Sequence, residues 1–128
     1  MNPLPQSATD EQLIEVVDQW VRLLEAQQYG QALALMDSGD TGWSPDMLKQ
    51  FIEGYGDAEP NQRVTLLGVP TDITQRIEVS RWPEHHGCIG EIWYDLNING
   101  LASDITATFK ICVAPGGIVL SLNDVHVM

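Results

Sequence analysis

The chain is poor in positive charge, in cysteine and in long apolar runs, and each shortage excludes something. Six Lys and Arg stand against eighteen Asp and Glu, for a formal net charge of −12. A surface this negative repels the phosphates of nucleic acids and anionic lipids, so no nucleic acid and no membrane is expected as a partner. The charge admits a basic protein partner, although plain solubility is the simpler explanation of it; a small apolar ligand is the other candidate partner. Two cysteines, Cys88 and Cys112, are too few for a disulfide scaffold. No apolar stretch approaches the ~20 residues that span a bilayer. The opening Met1-Asn2-Pro3-Leu4-Pro5-Gln6 lacks the basic region and apolar core of a secretion signal, and a cytoplasmic location is expected.

What is present is enough for one domain. The chain has 128 residues, 44% of them hydrophobic. A chain of that size buries roughly two-thirds of its unfolded surface and needs no metal or disulfide to hold a core. The pattern predicts a single α+β domain over 1–128, with a loose lead-in over 1–6, a helical half over 7–56 and a sheet half over 63–128. The first sixty residues hold most of the acids and only Arg22 and Lys49 as bases, so the helical half carries most of the excess charge.

Ser7 or Thr9 can cap a first helix, with Asp10 or Gln12 three residues on completing a capping box. Leu13, Val17, Trp20 and Leu24 then recur at helical spacing, and the helix is expected to reach Gln27 or Gln28. After Tyr29-Gly30, Ala32, Leu33, Leu35 and Met36 predict a short second helix ending in Asp37-Ser38-Gly39-Asp40. Ser44, Pro45 and Asp46 open a third, which Gly54-Tyr55-Gly56 stops. Residues 57–62 read as a polar linker.

From Arg63 the period changes to two. Strands are expected over Val64–Val69, Gln75–Trp82, Cys88–Ile98, Leu101–Val113 and Ile118–Met128, with Pro83–Gly87 as a loop. Asn99-Gly100 between alternating runs is a strong hairpin signal. It pairs Ile98 with Leu101 and, uninterrupted, Tyr94 with Ile105, Ile92 with Ala107 and Gly90 with Phe109, whose ring would cover the glycine. The same alternation puts Cys88 and Cys112 on opposite faces, which would forbid a bond between them.

The second turn pairs Val113 with Ile118, Ile111 with Leu120 and Phe109 with Leu122. Two continuations are open. An unbroken ladder places Asp124 and His126 beside Tyr94 on the concave face, a candidate acid/base trio in a pocket lined by Ile92, Ile105, Phe109, Trp43 and Tyr55. A bulge at Asn123-Asp124 would instead bury Val125 and Val127 and turn Asp124 and His126 outward, sparing their desolvation. On the other sheet face, Ile89 and Trp93 with Thr106 and Thr108 form a candidate homodimer contact.

Helices followed by a hairpin and a long meander, with the stretch from Trp20 through Tyr29-Gly30 to Leu33, resemble the nuclear transport factor two-like superfamily, the cone-shaped α+β fold. Its usual opening is a long helix that turns at an aromatic residue into a shorter one. The resemblance implies helices packed on a curved, mostly antiparallel sheet. Enzymes of that superfamily, such as ketosteroid isomerases and scytalone dehydratase, hold an acid/base pair inside the cone, and Tyr94, Asp124 and His126 are the residues here that can fill such roles. Other members are binding domains, oligomerisation modules, or immunity proteins against bacterial toxins, and small acidic members without a catalytic set resemble these.

His85-His86 beside Glu84 is a weak metal signal, because adjacent loop histidines seldom reach one ion, and no metal or other cofactor is expected. Gly116-Gly117 precedes no helix and is turn chemistry, not a phosphate loop. The leading expectation is a noncatalytic binding module for a protein or small ligand. The alternatives are a small-molecule isomerase, dehydratase or hydrolase, and a structural homodimer.

Overall fold

The computed structural model describes residues 1–37, 42–56, 59 and 61–127. Helix α1 (Asp10–Glu25) starts on a complete capping box: the Gln12 amide donates to Thr9 Oγ1 at 3.2 Å, and the Thr9 amide donates to Gln12 Oε1 at 2.8 Å. Such a cap stabilises a helix by about 1 kcal/mol. Leu13, Val17, Trp20, Val21 and Leu24 bury one stripe of it. The helix ends two residues short of expectation, where Gln27 takes a left-handed φ of 58°. Helix α2 (Tyr29–Leu35) begins on the aromatic residue itself, so Tyr29-Gly30 opens the second helix and does not merely break the first. Helix α3 (Pro45–Glu53) has Ser44 as its cap, accepting from the Met47 amide at 3.1 Å, and stops at Gly54. Of the expected stop at Asp37-Ser38-Gly39-Asp40, only Asp37 is among the described residues; residues 57, 58 and 60 of the expected linker and Met128 also lie outside them.

The strands are β1 (Val64–Thr65), β2 (Ile77–His85), β3 (Cys88–Ile98), β4 (Leu101–Ala114) and β5 (Gly117–Val127). They form one antiparallel sheet in the order β1-β3-β4-β5, with β2 sharing the β3 edge. The helices pack on one face of this open sheet, an α+β arrangement consistent with a cone-like fold. The core runs from Leu13, Trp20 and Leu24 through Ile92, Tyr94, Ile105, Phe109 and Ile111 to Leu120 and Val125. Trp20 meets Phe109 edge-on at 5.1 Å. Among the described residues, no helix is long and apolar enough to cross a membrane.

The Asn99-Gly100 turn forms as expected, with φ of 52° and 79° and Ile98 opposite Leu101. Beyond it the expected register slips. Pairing jumps from Asn97↔Ala102 to Asp95↔Thr106, so Leu96 alone faces Ser103, Asp104 and Ile105. Tyr94 therefore pairs with Ala107, Ile92 with Phe109, and Gly90 with Ile111. Because the slip is an even number of residues, every side chain keeps its face, and Tyr94 and Ile105 both enter the core. Gly90 is not a gap under Phe109; a side chain there would run into the Ser80 carbonyl of β2.

A second bulge corrects the cysteines. Between Gly90↔Ile111 and Cys88↔Cys112 the residue Ile89 is extra, which turns Cys88 onto the face of Cys112 and makes them direct cross-strand partners. They are joined by a disulfide. The expected Pro83–Gly87 loop is also shorter than read: β2 continues to His85, and His86-Gly87, at φ 52° and 81°, make a two-residue turn. The expected Val64–Val69 strand shrinks to Val64–Thr65, with Val69 keeping only an isolated bridge to Leu101. The lead-in is docked as well. Leu4 and Ile118 exchange backbone hydrogen bonds of 2.8 Å, and the Leu4 carbonyl passes where any Gly117 side chain would stand.

Candidate functional site

On the concave face the candidate acid/base trio does not assemble. β5 carries the bulge: pairing passes from Phe109↔Leu122 to Thr108↔Asp124, Ala107↔Val125 and Thr106↔His126. Val125 is buried, while Asp124 and His126 lie on the opposite face from Tyr94. The physical reason is the one weighed above, since an apolar side chain costs nothing to desolvate and a carboxylate costs much. Tyr94 is instead tied to helix α1, its hydroxyl donating to Asp18 Oδ1 at 2.7 Å. Burial raises the Tyr94 pKa well above the ordinary phenol value, and the hydrogen bond to Asp18 and that residue's charge add to the rise. Ile92, Ile105 and Phe109 are fully buried in the core among helix side chains.

The outer face holds a polar network around Asp95. Its carboxylate accepts from the Arg76 amide at 3.0 Å, Trp93 Nε1 at 2.9 Å and Thr106 Oγ1 at 2.7 Å. The Arg76 guanidinium stacks 4.8 Å over the Trp93 ring, and the ring of His126 meets Trp93 edge-on at 5.9 Å. His126 Nδ1 lies 3.2 Å from Asp124 Oδ2, within ion-pair reach but without hydrogen-bond geometry. Thr106 and Thr108 are buried within the chain, so they offer no open contact surface; Trp93 and Ile89 remain half-buried.

Ligand-sized space lies at the surface. A cleft of about 590 Å³ opens where the end of α3 meets the ends of β4 and β5, lined by Gln50, Phe51, Gly54, Tyr55, Gly56, Asp104 and Val127. That volume is within the range of small-molecule sites. The wide bulge opposite Leu96 puts Asp104 at its wall, where the Tyr55 hydroxyl donates to Asp104 Oδ1. Burial raises the Tyr55 pKa, and the bond to Asp104 adds to it. Tyr55 thus lines a surface cleft, apart from the concave-face residues Ile92, Ile105 and Phe109 with which the sequence groups it. Trp43 stands one step back, edge-on to Phe51 at 6.0 Å. Gln62 holds the turn after α3 by donating to the Ile52 and Tyr55 carbonyls at 2.7 and 2.8 Å.

A second cleft, about 570 Å³, lies at the β2–β3 hairpin end between Trp82, Pro83, His85, His86, Cys88 and Lys110. His85 and His86 touch each other, with ring centres 4.0 Å apart. Among the described residues, no three His, Cys, Asp or Glu side chains gather in a metal-binding group.

Sequence reasoning missed Asp104 and Asp18. The signal for Asp104 was present: Ser103-Asp104 interrupts the alternation of β4 with two polar residues in a row. Asp18 sits beside Val17 and Val21 at the border of the α1 stripe, where spacing does not tell a buried partner from a solvated acid. No family model matches the chain, and no curated protein or solved structure matches it significantly.

Proposed function

We propose that this chain is a noncatalytic cone-fold binding module that offers an acid-rich surface and a small cleft to its partner. The observation that carries this reading is the filling of the concave face. Where a cone-fold enzyme would keep an acid/base pair in an open cavity, Trp20, Leu13, Leu24 and Tyr94 pack against Ile92, Ala107 and Phe109, each almost fully buried. The charge distribution supports a basic protein partner. Lys49, Arg76, Arg81 and Lys110 are each held by an acid, leaving Glu11, Glu15 and Asp46 exposed on the helices without an ion pair among the described residues. An immunity-type protein that neutralises a basic toxin is the form of this reading drawn from the family resemblance. A cytoplasmic home belongs to the same proposal and requires Cys88 and Cys112 to persist there as thiols, because reducing compartments open such bonds.

The test isolates a protein partner from the native host and measures its affinity against salt. Association is expected to weaken steeply as ionic strength rises. It should survive in a folded variant carrying Tyr94→Phe, Asp124→Asn and His126→Gln. Loss of the cellular function in that variant, with partner binding intact, would hand the case to the enzyme reading.

A further inference from the structure

The cleft between α3 and the β4–β5 end has a chemistry of its own. We infer that it binds an ammonium or guanidinium group carried on a short apolar stem. This rests on the reading of the chain as a binding module and names the ligand class at its site.

Three independent features select a cation. First, Asp104 is a half-buried carboxylate that, among the described residues, has no Lys, Arg or His within ion-pair reach. The Tyr55 hydroxyl occupies Oδ1 and anchors the carboxylate, while Oδ2 accepts no hydrogen bond among the described residues and keeps its lone pairs for a ligand N–H. Second, α3 runs its C-terminal end into the cleft, and its last turn holds no basic residue. The partial negative charge of a helix C-terminus therefore stands on the same cleft as Asp104 and adds to its pull on a cation, beyond what the Gln62 amide on the Ile52 and Tyr55 carbonyls and the Lys49–Glu53 pair offset. Third, the net charge of −12 makes the surrounding field attract cations and repel anions.

The apolar part of the ligand follows from the walls. Phe51 and Tyr55 present ring surface, and Val127 is 50% exposed at the rim. An aromatic face beside a carboxylate receives a cation and its stem together, through the ring quadrupole and through burial of the stem. Gly54 and Gly56 leave part of the lining as bare backbone, so a flat stem can approach closely. A free aralkylamine and a Lys or Arg side chain of a partner protein share this chemistry.

The test is a titration of the isotope-labelled chain followed by backbone amide shifts. The probes are phenethylamine, its anionic counterpart 3-phenylpropionate, and neutral 3-phenylpropanol. Phenethylamine is expected to shift Gln50, Gly54, Gly56, Asp104 and Val127 saturably at millimolar concentration, with the anion silent and the alcohol weak. Asp104→Asn keeps an acceptor for Tyr55 and removes the charge, and should weaken phenethylamine binding about tenfold. Asp124→Asn removes the same charge from the outer face and should leave binding within about twofold. A lysine-bearing tripeptide that competes more tightly than phenethylamine would identify the source as a partner's side chain, and weaker competition would identify it as a free amine. Equal shifts from all three probes, or an unaffected Asp104→Asn, would overturn the cation assignment while leaving a binding cleft. No saturable shift at any described residue would remove the small-ligand site altogether.

Discussion

The two faces of the sheet are built from the same strands and solve opposite problems. Toward the helices, Ile92, Phe109, Ile111 and Leu120 make a continuous apolar surface, and the polar tip of Tyr94 is answered by Asp18 across the interface. Among the described residues no helix covers the outer face, yet Thr106 and Thr108 are as buried as the core. Their neighbours are long side chains: Trp93 stands opposite Thr108 with Arg76 stacked on it, Asp95 accepts from Trp93 and Thr106, and Asn123 donates to Thr108. One face is dry because another layer covers it; the other shields its centre with its own long side chains. The stability of the first should depend on volume, and that of the second on saturation of hydrogen bonds and on covalent linkage.

Truncating one large ring on each face tests the difference directly. Phe109→Ala should cost about 4 kcal/mol, because it removes the ring on which Trp20 rests and leaves a cavity that the packed helices cannot close. Trp93→Ala should cost distinctly less, about 2 kcal/mol, since half-exposed neighbours can relax and water can reach Asp95. Urea denaturation of both variants measures this, and equal losses would mean that the outer face is a core in its own right.

Opening the Cys88–Cys112 bond is the next largest perturbation. It links residues 24 apart in sequence at the far end of the β3–β4 hairpin. Closing a loop of that length stabilises the folded state by about 3 kcal/mol, chiefly by restricting the unfolded chain. Stability measured with and without a reductant should differ by that amount, and the double variant Cys88→Ala and Cys112→Ala should be insensitive to reductant. An unchanged midpoint on reduction would show the bulge at Ile89 holding the hairpin end without the bond.

What was legible in the sequence was whatever depends on local chemistry. Thr9 and Gln12 announced their capping box, Ser44-Pro45 the start of α3, and Asn99-Gly100 its turn, because each is a property of a few adjacent residues. Alternation then assigned Tyr94, Ile105 and Phe109 to the core side correctly. Bulges were harder. The one at Asn123-Asp124 could be posed as an alternative, because Val125 and the polar residues around it disagree in phase. The bulge at Ile89 leaves no break in the alternation, and the break at Ser103-Asp104 does not say where the ladder resumes, because both are repaid by contacts distant in sequence: Cys88 with Cys112, and Asp104 with Tyr55. The candidate site was hidden for the same reason, since its carboxylate stands on a bulge and its phenol on the turn after α3.

The smallest effect tests the polar link between the two layers. Tyr94→Phe removes the bond to Asp18 and should cost about 1 kcal/mol at neutral pH, because Asp18 lies near enough to the surface to recover water. Its pH dependence is more telling than its size. The ordinary phenol value is 10.0, and in the folded chain burial, then Asp18, raise that of Tyr94. Between the two values the folded phenol keeps a proton that the unfolded one has lost, so unfolding releases a proton and stability falls as pH rises. The stabilisation is thus intact below about pH 10 and lost progressively above it. Tyr29 and Tyr55 are also raised by burial, so the variant keeps part of the slope. Denaturation curves collected from neutral to strongly alkaline pH should show the parent protein losing its advantage over Tyr94→Phe as pH climbs past that point. A gap that stays constant across the range would mean that the phenol meets water in the folded state, and that the helix layer does not seal the concave face.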